Sequence, residues 1–175
     1  MAYPTVSAPY GLKPINRVDG LPYAGATRQL PIASTYNTAI YNGDVVKLVV
    51  GGTVEKSSVA SNVEATPTLG VFVGCSYTNS SGQPVQAQYY PTGVTNAVAY
   101  VVLDPQAAFK VAVTTAGDTS TVTYVTRAVV GTNMSIATGS GSTTTGDSGL
   151  SVISGSAANT AVLPCRVVDV VPETA

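Results

Sequence analysis

The chain has 175 residues, enough for one domain with a sizeable core, and 45% of them are apolar. Only 10% are Asp, Glu, Lys or Arg, against about 25% in typical soluble domains. The formal net charge is -1 and the basic residues are scattered singly, which excludes the clustered positive charge of a nucleic-acid binder. The apolar runs are far shorter than the roughly 20 residues of a membrane-spanning helix, and the N-terminus lacks the basic-plus-apolar pattern of a secretory signal.

Residues 1–32 are expected to form an extended arm. Five prolines are spaced too closely for a helix, yet the segment is too apolar for a solvated, disordered tail. The arm must therefore lie on a surface, either that of its own domain or that of a neighbouring molecule. Residues 25–32 are a candidate first strand, and residues 33–175 then form a single β domain.

From about residue 40 the pattern is typical of β structure almost throughout. Runs rich in Val, Thr, Tyr and Ile are separated by Gly, Asn, Asp and Ser, which predicts an all-β fold, an antiparallel β-sandwich or barrel. In "VVKLVV" the alternation favours Val46, Leu48 and Val50 as the core face. Strands are predicted near residues 26–33, 44–50, 69–77, 85–90, 98–103, 109–114, 121–130, 149–153 and 162–171.

The stretch 137–149, "ATGSGSTTTGDSG", predicts a mobile, exposed loop because it is rich in Gly, Ser and Thr. It contains Gly-Asp-Ser-Gly, the sequence around the nucleophile of many serine proteases. The chain has no histidine, so Ser148 lacks the imidazole that would take its proton, and no lysine lies in an apolar setting near a serine. The motif is therefore interpreted as turn chemistry, and no catalytic residue is assigned.

Metal and cofactor sites are not expected. Each turn aspartate stands without a second acid within five residues, whereas calcium needs several converging carboxylates. Cys75 and Cys165 lie in apolar, strand-like runs without a CxxC pair, which argues against zinc. Free buried thiols are favoured for both, and a disulfide requires that the two strands be neighbours.

The chain has ten tyrosines and no tryptophan, and "QYYP" at 88–91 is its densest aromatic stretch. Tyr89 and Tyr90 are a candidate surface patch. Such a patch suits a protein interface, because tyrosine buries area while its hydroxyl stays hydrogen-bonded. The alternative is a platform on which sugars stack.

Five stretches in order carry a family resemblance: "APYGLKPINRVDGLPYAGATRQLPIA", "YNGDVVKL", "TLGVFVGC", "YVVLDPQAAFKV" and "LPCRVVDVV". Together they resemble small virion structural proteins of tailed bacteriophages, which open with a similar "PYGLRPV" arm and carry a "DDP" element. Here the element reads "LDPQAAF", which departs from the doubled acid. The resemblance implies a non-enzymatic decoration or cement protein, made in the host cytoplasm and bound to the capsid exterior.

On that basis the expected partners are the major capsid protein and further copies of the chain, with a trimer favoured by analogy. The expected interface anchors are aromatic, leucine and guanidinium side chains of the arm. They are Tyr3, Tyr10, Leu12, Arg17, Tyr23 and Arg28. The alternative function is a carbohydrate-binding or host-adhesion module of the virion that uses Tyr89 and Tyr90.

Overall fold

In the computed structural model, residues 9–58, 68–115, 121–159 and 163–171 are described. Short strands dominate these ranges, and helix is limited to two single 3-10 turns, Arg127–Val129 and Ser154–Ser156. The strands are β1 (Lys13–Arg17), β2 (Arg28–Pro31), β3 (Ile40–Tyr41), β4 (Val45–Leu48), β5 (Val54–Lys56), β6 (Thr68–Thr78), β7 (Pro84–Ala87), β8 (Tyr89–Tyr90), β9 (Thr95–Val102), β10 (Ala107–Lys110), β11 (Val113–Thr114), β12 (Val122–Thr123), β13 (Asn133–Met134), β14 (Ile136–Ala137), β15 (Ser151–Ile153) and β16 (Cys165–Arg166).

A six-stranded antiparallel sheet organises the protein. Its order is β2-β9-β6-β4-β5, with β7 paired to the far end of β6. The 11-residue β6 is long enough to pair with β4, β7 and β9 along its length. The described residues also form four smaller sheets, whose strand pairings are antiparallel except for β11 with β15. The all-β prediction is confirmed.

Both faces of this sheet are buried at β4 and β6, which are neighbours in its centre. Val46 and Phe72 lie in one core cluster, which also holds Ile40 and Tyr90. The residue just before each, Val45 and Val71, lies in a second cluster on the opposite face, because successive side chains of a strand alternate.

The sequence assigned only one face of "VVKLVV" to the core, and this is wrong in part. Val46 is fully buried as predicted, but Val45 on the other face is buried too. Leu48 is 43% exposed and Val50 is fully exposed. The reason is that the pairing of β4 with β6 reaches only to Lys47, so Leu48 pairs with β5 alone and Val50 lies in the turn between β4 and β5.

The described part of the N-terminal segment packs on its own domain. Leu12 joins the second core cluster, β1 pairs with β10, and β2 pairs with β9 at the edge of the large sheet. The strand β2 falls within the predicted window 25–32, whereas β1 was not predicted. Tyr3 lies outside the described residues.

The backbones of Gly11 and Gly43 lie close together where this segment meets the domain. Both have positive φ, 77° and 96°, a region that disfavours side chains. A Cβ on Gly43 would lie 2.7 Å from the backbone nitrogen of Leu12. The contact lets Leu12 N–H donate to the Gly43 carbonyl at 3.0 Å, which fixes the start of β1.

Candidate functional site

Ser148 of the Gly-Asp-Ser-Gly motif is buried, with 1% of its surface exposed. Its hydroxyl donates to Asp44 Oδ1 at 2.5 Å and accepts from the backbone N–H of Leu150 at 3.0 Å. The backbone N–H of Ser148 donates to the Asn42 carbonyl. These bonds hold the motif against the turn between β3 and β4.

Asp44 is the centre of this arrangement and is also 1% exposed. Its Oδ2 accepts from the backbone N–H of Tyr41 at 2.9 Å and pairs with Lys56 Nζ at 2.9 Å. Burying a carboxylate is costly unless it is paired and hydrogen-bonded, and here both oxygens have partners. We call the side chains of Asp44, Lys56 and Ser148, together with the backbone N–H groups of Tyr41 and Leu150, the Ser148 network.

The geometry of the Ser148 network fits a role in stabilising the fold better than a role in catalysis. A nucleophile must reach a substrate, whereas the Ser148 hydroxyl is buried and committed to Asp44. The network ties together residues 104 positions apart in the chain. Sequence reasoning interpreted Asp44 as a turn residue and missed its partner, because no local signal connects it to Ser148.

The expected exposed loop at 137–149 is therefore wrong for its C-terminal end. Residues 143–145 are exposed, but Gly146, Ser148 and Gly149 are buried. The physical reason is backbone pairing: Asn42 N–H donates to the Gly146 carbonyl, and Asn42 forms a parallel bridge with Asp147.

Lys13, Asn42 and Asp147 meet beside the Ser148 network. Lys13 Nζ lies 3.0 Å from Asn42 Oδ1 and 2.6 Å from Asp147 Oδ1. The side chains of Lys13 and Asp147 are 29% and 34% exposed. Among the described residues, no group of three His, Cys, Asp or Glu side chains could hold a metal ion.

The expected arm anchors differ in how far the structure buries them. Leu12 is 7% exposed and belongs to the second core cluster of its own chain, so the structure places it inside the domain. Tyr10 is half-buried, and burial raises the pKa of its hydroxyl. Arg28 is exposed on the edge strand β2.

Arg17 and Tyr23 lie on either side of the tight turn that follows β1. Arg17 pairs with Asp19 at 3.0 Å and with Asp104 at 3.4 Å, so its guanidinium is partly occupied. The hydroxyl of Tyr23 donates to the Ala26 carbonyl at 3.0 Å, and burial followed by the negative charge of Asp104 raises its pKa.

Three large apolar side chains of this segment, one in β1 and two at the turn that follows it, are exposed and were not assigned as anchors. Ile15, Val18 and Leu21 are 50%, 62% and 55% exposed. Arg17 N–H donates to the Leu21 carbonyl and Asn16 bridges to Pro22, which closes the turn. We call these three side chains the N-terminal apolar patch. In the sequence, the only feature that indicates this patch is the presence of regularly spaced apolar residues in a proline-rich segment.

The predicted Tyr89 and Tyr90 surface patch does not form. The two residues point to opposite faces of β8, which places Tyr90 in the core with no exposed surface. Its hydroxyl donates to the Tyr36 carbonyl at 3.0 Å. Tyr89 is partly buried and stacks on Tyr41, with ring centroids 5.5 Å apart.

An open cleft of about 350 Å³ lies beside Tyr36, whose ring stacks on that of Tyr90 with ring centroids 6.2 Å apart. Its lining carries a lysine, a tyrosine and four further hydroxyl groups. We call it the hydroxyl cleft, and it is formed by Tyr36, Thr38, Lys56, Ser57, Ser58 and Thr138.

Both cysteines are free thiols. Burial raises the pKa of Cys75 to about 12 and that of Cys165 to about 11. The two belong to different core clusters, Cys75 among the buried residues of the first and Cys165 at the margin of the second. Burial therefore disfavours the thiolate forms of both side chains at neutral pH.

Comparison of the chain with protein-family models, with curated proteins and with solved structures finds no match. No helix in the described ranges is long and apolar enough to span a bilayer.

Proposed function

We propose that this protein is a non-enzymatic head decoration or cement protein of a tailed phage. It is made in the host cytoplasm and binds the outside of the capsid, where it stabilises the shell through contacts with the major capsid protein and with its own copies. The observation that carries the proposal is the N-terminal apolar patch, in which one large apolar side chain of β1 and two at the turn that follows it are exposed in a charge-poor protein.

The patch supports binding energetically. Completing the burial of a half-exposed Ile, Val or Leu contributes about 1 kcal/mol, so the three together contribute about 3 kcal/mol. That corresponds to roughly a hundredfold in affinity. Each bound copy would then stabilise the assembled shell by mass action.

The chemistry of the described residues is consistent with a mechanical role. Ser148 and Asp44 are buried and paired with each other, and the two thiols have raised pKa values. We further propose that the sheets form a sandwich or barrel, that the proline-rich N-terminal segment serves as an extended arm, and that the oligomer is a trimer.

The test is co-sedimentation of the purified protein with empty heads of its phage. Val18→Ser with Leu21→Ser should weaken binding at least tenfold. Val50→Ser is the matched control because Val50 is fully exposed in a different turn, and it should bind as the parent does. Equal binding by all three proteins, or no binding by the parent, would overturn the proposal.

The alternative function, a carbohydrate-binding or host-adhesion module, is favoured by the hydroxyl cleft. Hydroxyl groups beside a tyrosine ring are suited to sugar hydroxyls and a sugar face. Binding on a glycan array that is lost in Thr138→Val, and retained in Tyr89→Ala, would support this alternative. An array without any bound glycan would refute it.

A further inference from the structure

Three side chains outside the Ser148 network combine a nucleophile, an electrophile and a base. Lys13 Nζ donates to the side-chain amide oxygen of Asn42 at 3.0 Å, one bond away from the amide carbon. The same nitrogen lies 2.6 Å from Asp147 Oδ1. Holding a nucleophile beside the group that it attacks can supply much of the barrier reduction of a bimolecular reaction.

Backbone pairing holds all three residues in place. Leu12 N–H donates to the Gly43 carbonyl, which fixes the chain directly before Lys13. Asn42 N–H donates to the Gly146 carbonyl and Ser148 N–H donates to the Asn42 carbonyl, so Asn42 and Asp147 lie opposite each other. The three side chains therefore meet because the backbone segments that carry them are hydrogen-bonded to one another.

We propose that Lys13 and Asn42 become joined by an isopeptide bond, with Asp147 as the proton-transferring residue. The reaction is an amide exchange within the folded chain. It needs no oxidant, cofactor or added reactant, and it closes a covalent loop between residues 13 and 42.

The steps balance in atoms and charge. Asp147 takes one proton from the Lys13 ammonium, because only the neutral amine has the electron pair needed for attack. Nζ then bonds to the side-chain carbonyl carbon of Asn42, and the bond from that carbon to Nδ2 breaks. The two protons given up by Nζ leave with Nδ2 as ammonium, and Asp147 returns to its carboxylate form.

Two features favour this reaction over the usual side reaction of an Asn-Gly pair. Cyclisation to a succinimide needs the backbone nitrogen of Gly43 to attack, but that N–H donates to the Phe72 carbonyl at 2.8 Å. The Lys13 amine, in contrast, already contacts the Asn42 amide. The partial exposure of Lys13 and Asp147 gives the released ammonia a path to solvent.

The test is the intact mass of the full-length, denatured protein after folding at neutral pH. We expect a loss of one ammonia, about 17 Da. Trypsin cleaves after Arg17, Arg28 and Lys47, since Lys13 precedes a proline. The digest should therefore contain peptide 1–17 covalently joined to peptide 29–47.

Matched variants assign the roles. Lys13→Arg keeps the positive charge without a nucleophilic amine, and Asp147→Asn removes the base, so both should have the full mass and separate peptides. Lys110→Arg is the control, because Lys110 lies opposite Lys13 in the β1–β10 pair, and it should still be linked. Circular dichroism confirms that each variant is folded.

Three results would overturn the proposal. One is a folded parent protein at full mass with separate peptides. The second is a mass loss of one ammonia with separate peptides, which indicates a succinimide at Asn42. The third is a linked product in Asp147→Asn, which would remove Asp147 from the reaction. None of these outcomes depends on whether the protein binds capsids.

Discussion

Replacing Ser148 with alanine should destabilise the folded protein substantially. The change removes the donor to Asp44 Oδ1 and the acceptor for Leu150 N–H, both in a buried setting. A hydrogen bond to a charged group contributes about 1.5–3 kcal/mol, and a buried group left unpaired costs about 1–3 kcal/mol. Because Asp44 keeps Tyr41 N–H and Lys56, we expect the lower half of the combined range, about 3 kcal/mol.

Guanidinium unfolding followed by circular dichroism measures this loss, since the chain has no tryptophan to report by fluorescence. For a protein of this size the melting temperature should fall by about 6–12 °C. Ser80→Ala is the control because Ser80 is exposed, and its effect should stay within about 0.5 kcal/mol. A Ser148→Ala loss as small as that of the control would refute the view that the motif is a structural anchor.

The remaining predictions concern the core, the close approach and the thiols. Leu12→Ala should cost about 3 kcal/mol in chemical unfolding because Leu12 is part of the second core cluster, whereas exposed Leu48→Ala should cost under about 0.5 kcal/mol; equal effects would mean that the N-terminal segment is not packed. Gly43→Ala should cost at least about 2 kcal/mol, since the positive φ and the 2.7 Å approach to the Leu12 nitrogen are both incompatible with a Cβ; a neutral effect would contradict this backbone geometry. Tyr90→Phe should cost about 1 kcal/mol through the lost bond to the Tyr36 carbonyl, and an unchanged melting temperature would argue against that bond. Because burial raises the pKa of Cys75 from 9.0 to about 12, its protonated form is favoured in the folded state, so unfolding free energy should fall as pH rises through this window; titration of urea unfolding should show a smaller slope in Cys75→Ala, and equal slopes would refute the assignment.

The sequence located the strands best where apolar, β-branched runs are long. The predicted strands near 44–50, 69–77 and 98–103 are confirmed as β4, β6 and β9. The predicted strands near 121–130 and 162–171 shrink to the two-residue β12 and β16. A strand needs a hydrogen-bonded partner, and β12 pairs with β11 at only two positions.

The candidate sites were less accessible to sequence reasoning. Alternation could have separated Tyr89 from Tyr90, but only their position beside β3 shows which of the two is buried. Asn42 and Asp147 lie 29 and 134 positions from Lys13 in the chain, so no spacing rule connects the three residues.

Composition and periodicity by themselves determined the all-β class, the charge-poor surface and the absence of an imidazole base for Ser148. These properties are local or summed over the chain, so they do not depend on which segments meet. Only the tertiary structure decided that the N-terminal segment packs back on its domain and that the end of the 137–149 segment is buried. The physical reason is that buried polar groups require partners, and those partners, Asp44 for Ser148 and Gly43 for Leu12, come from distant parts of the chain.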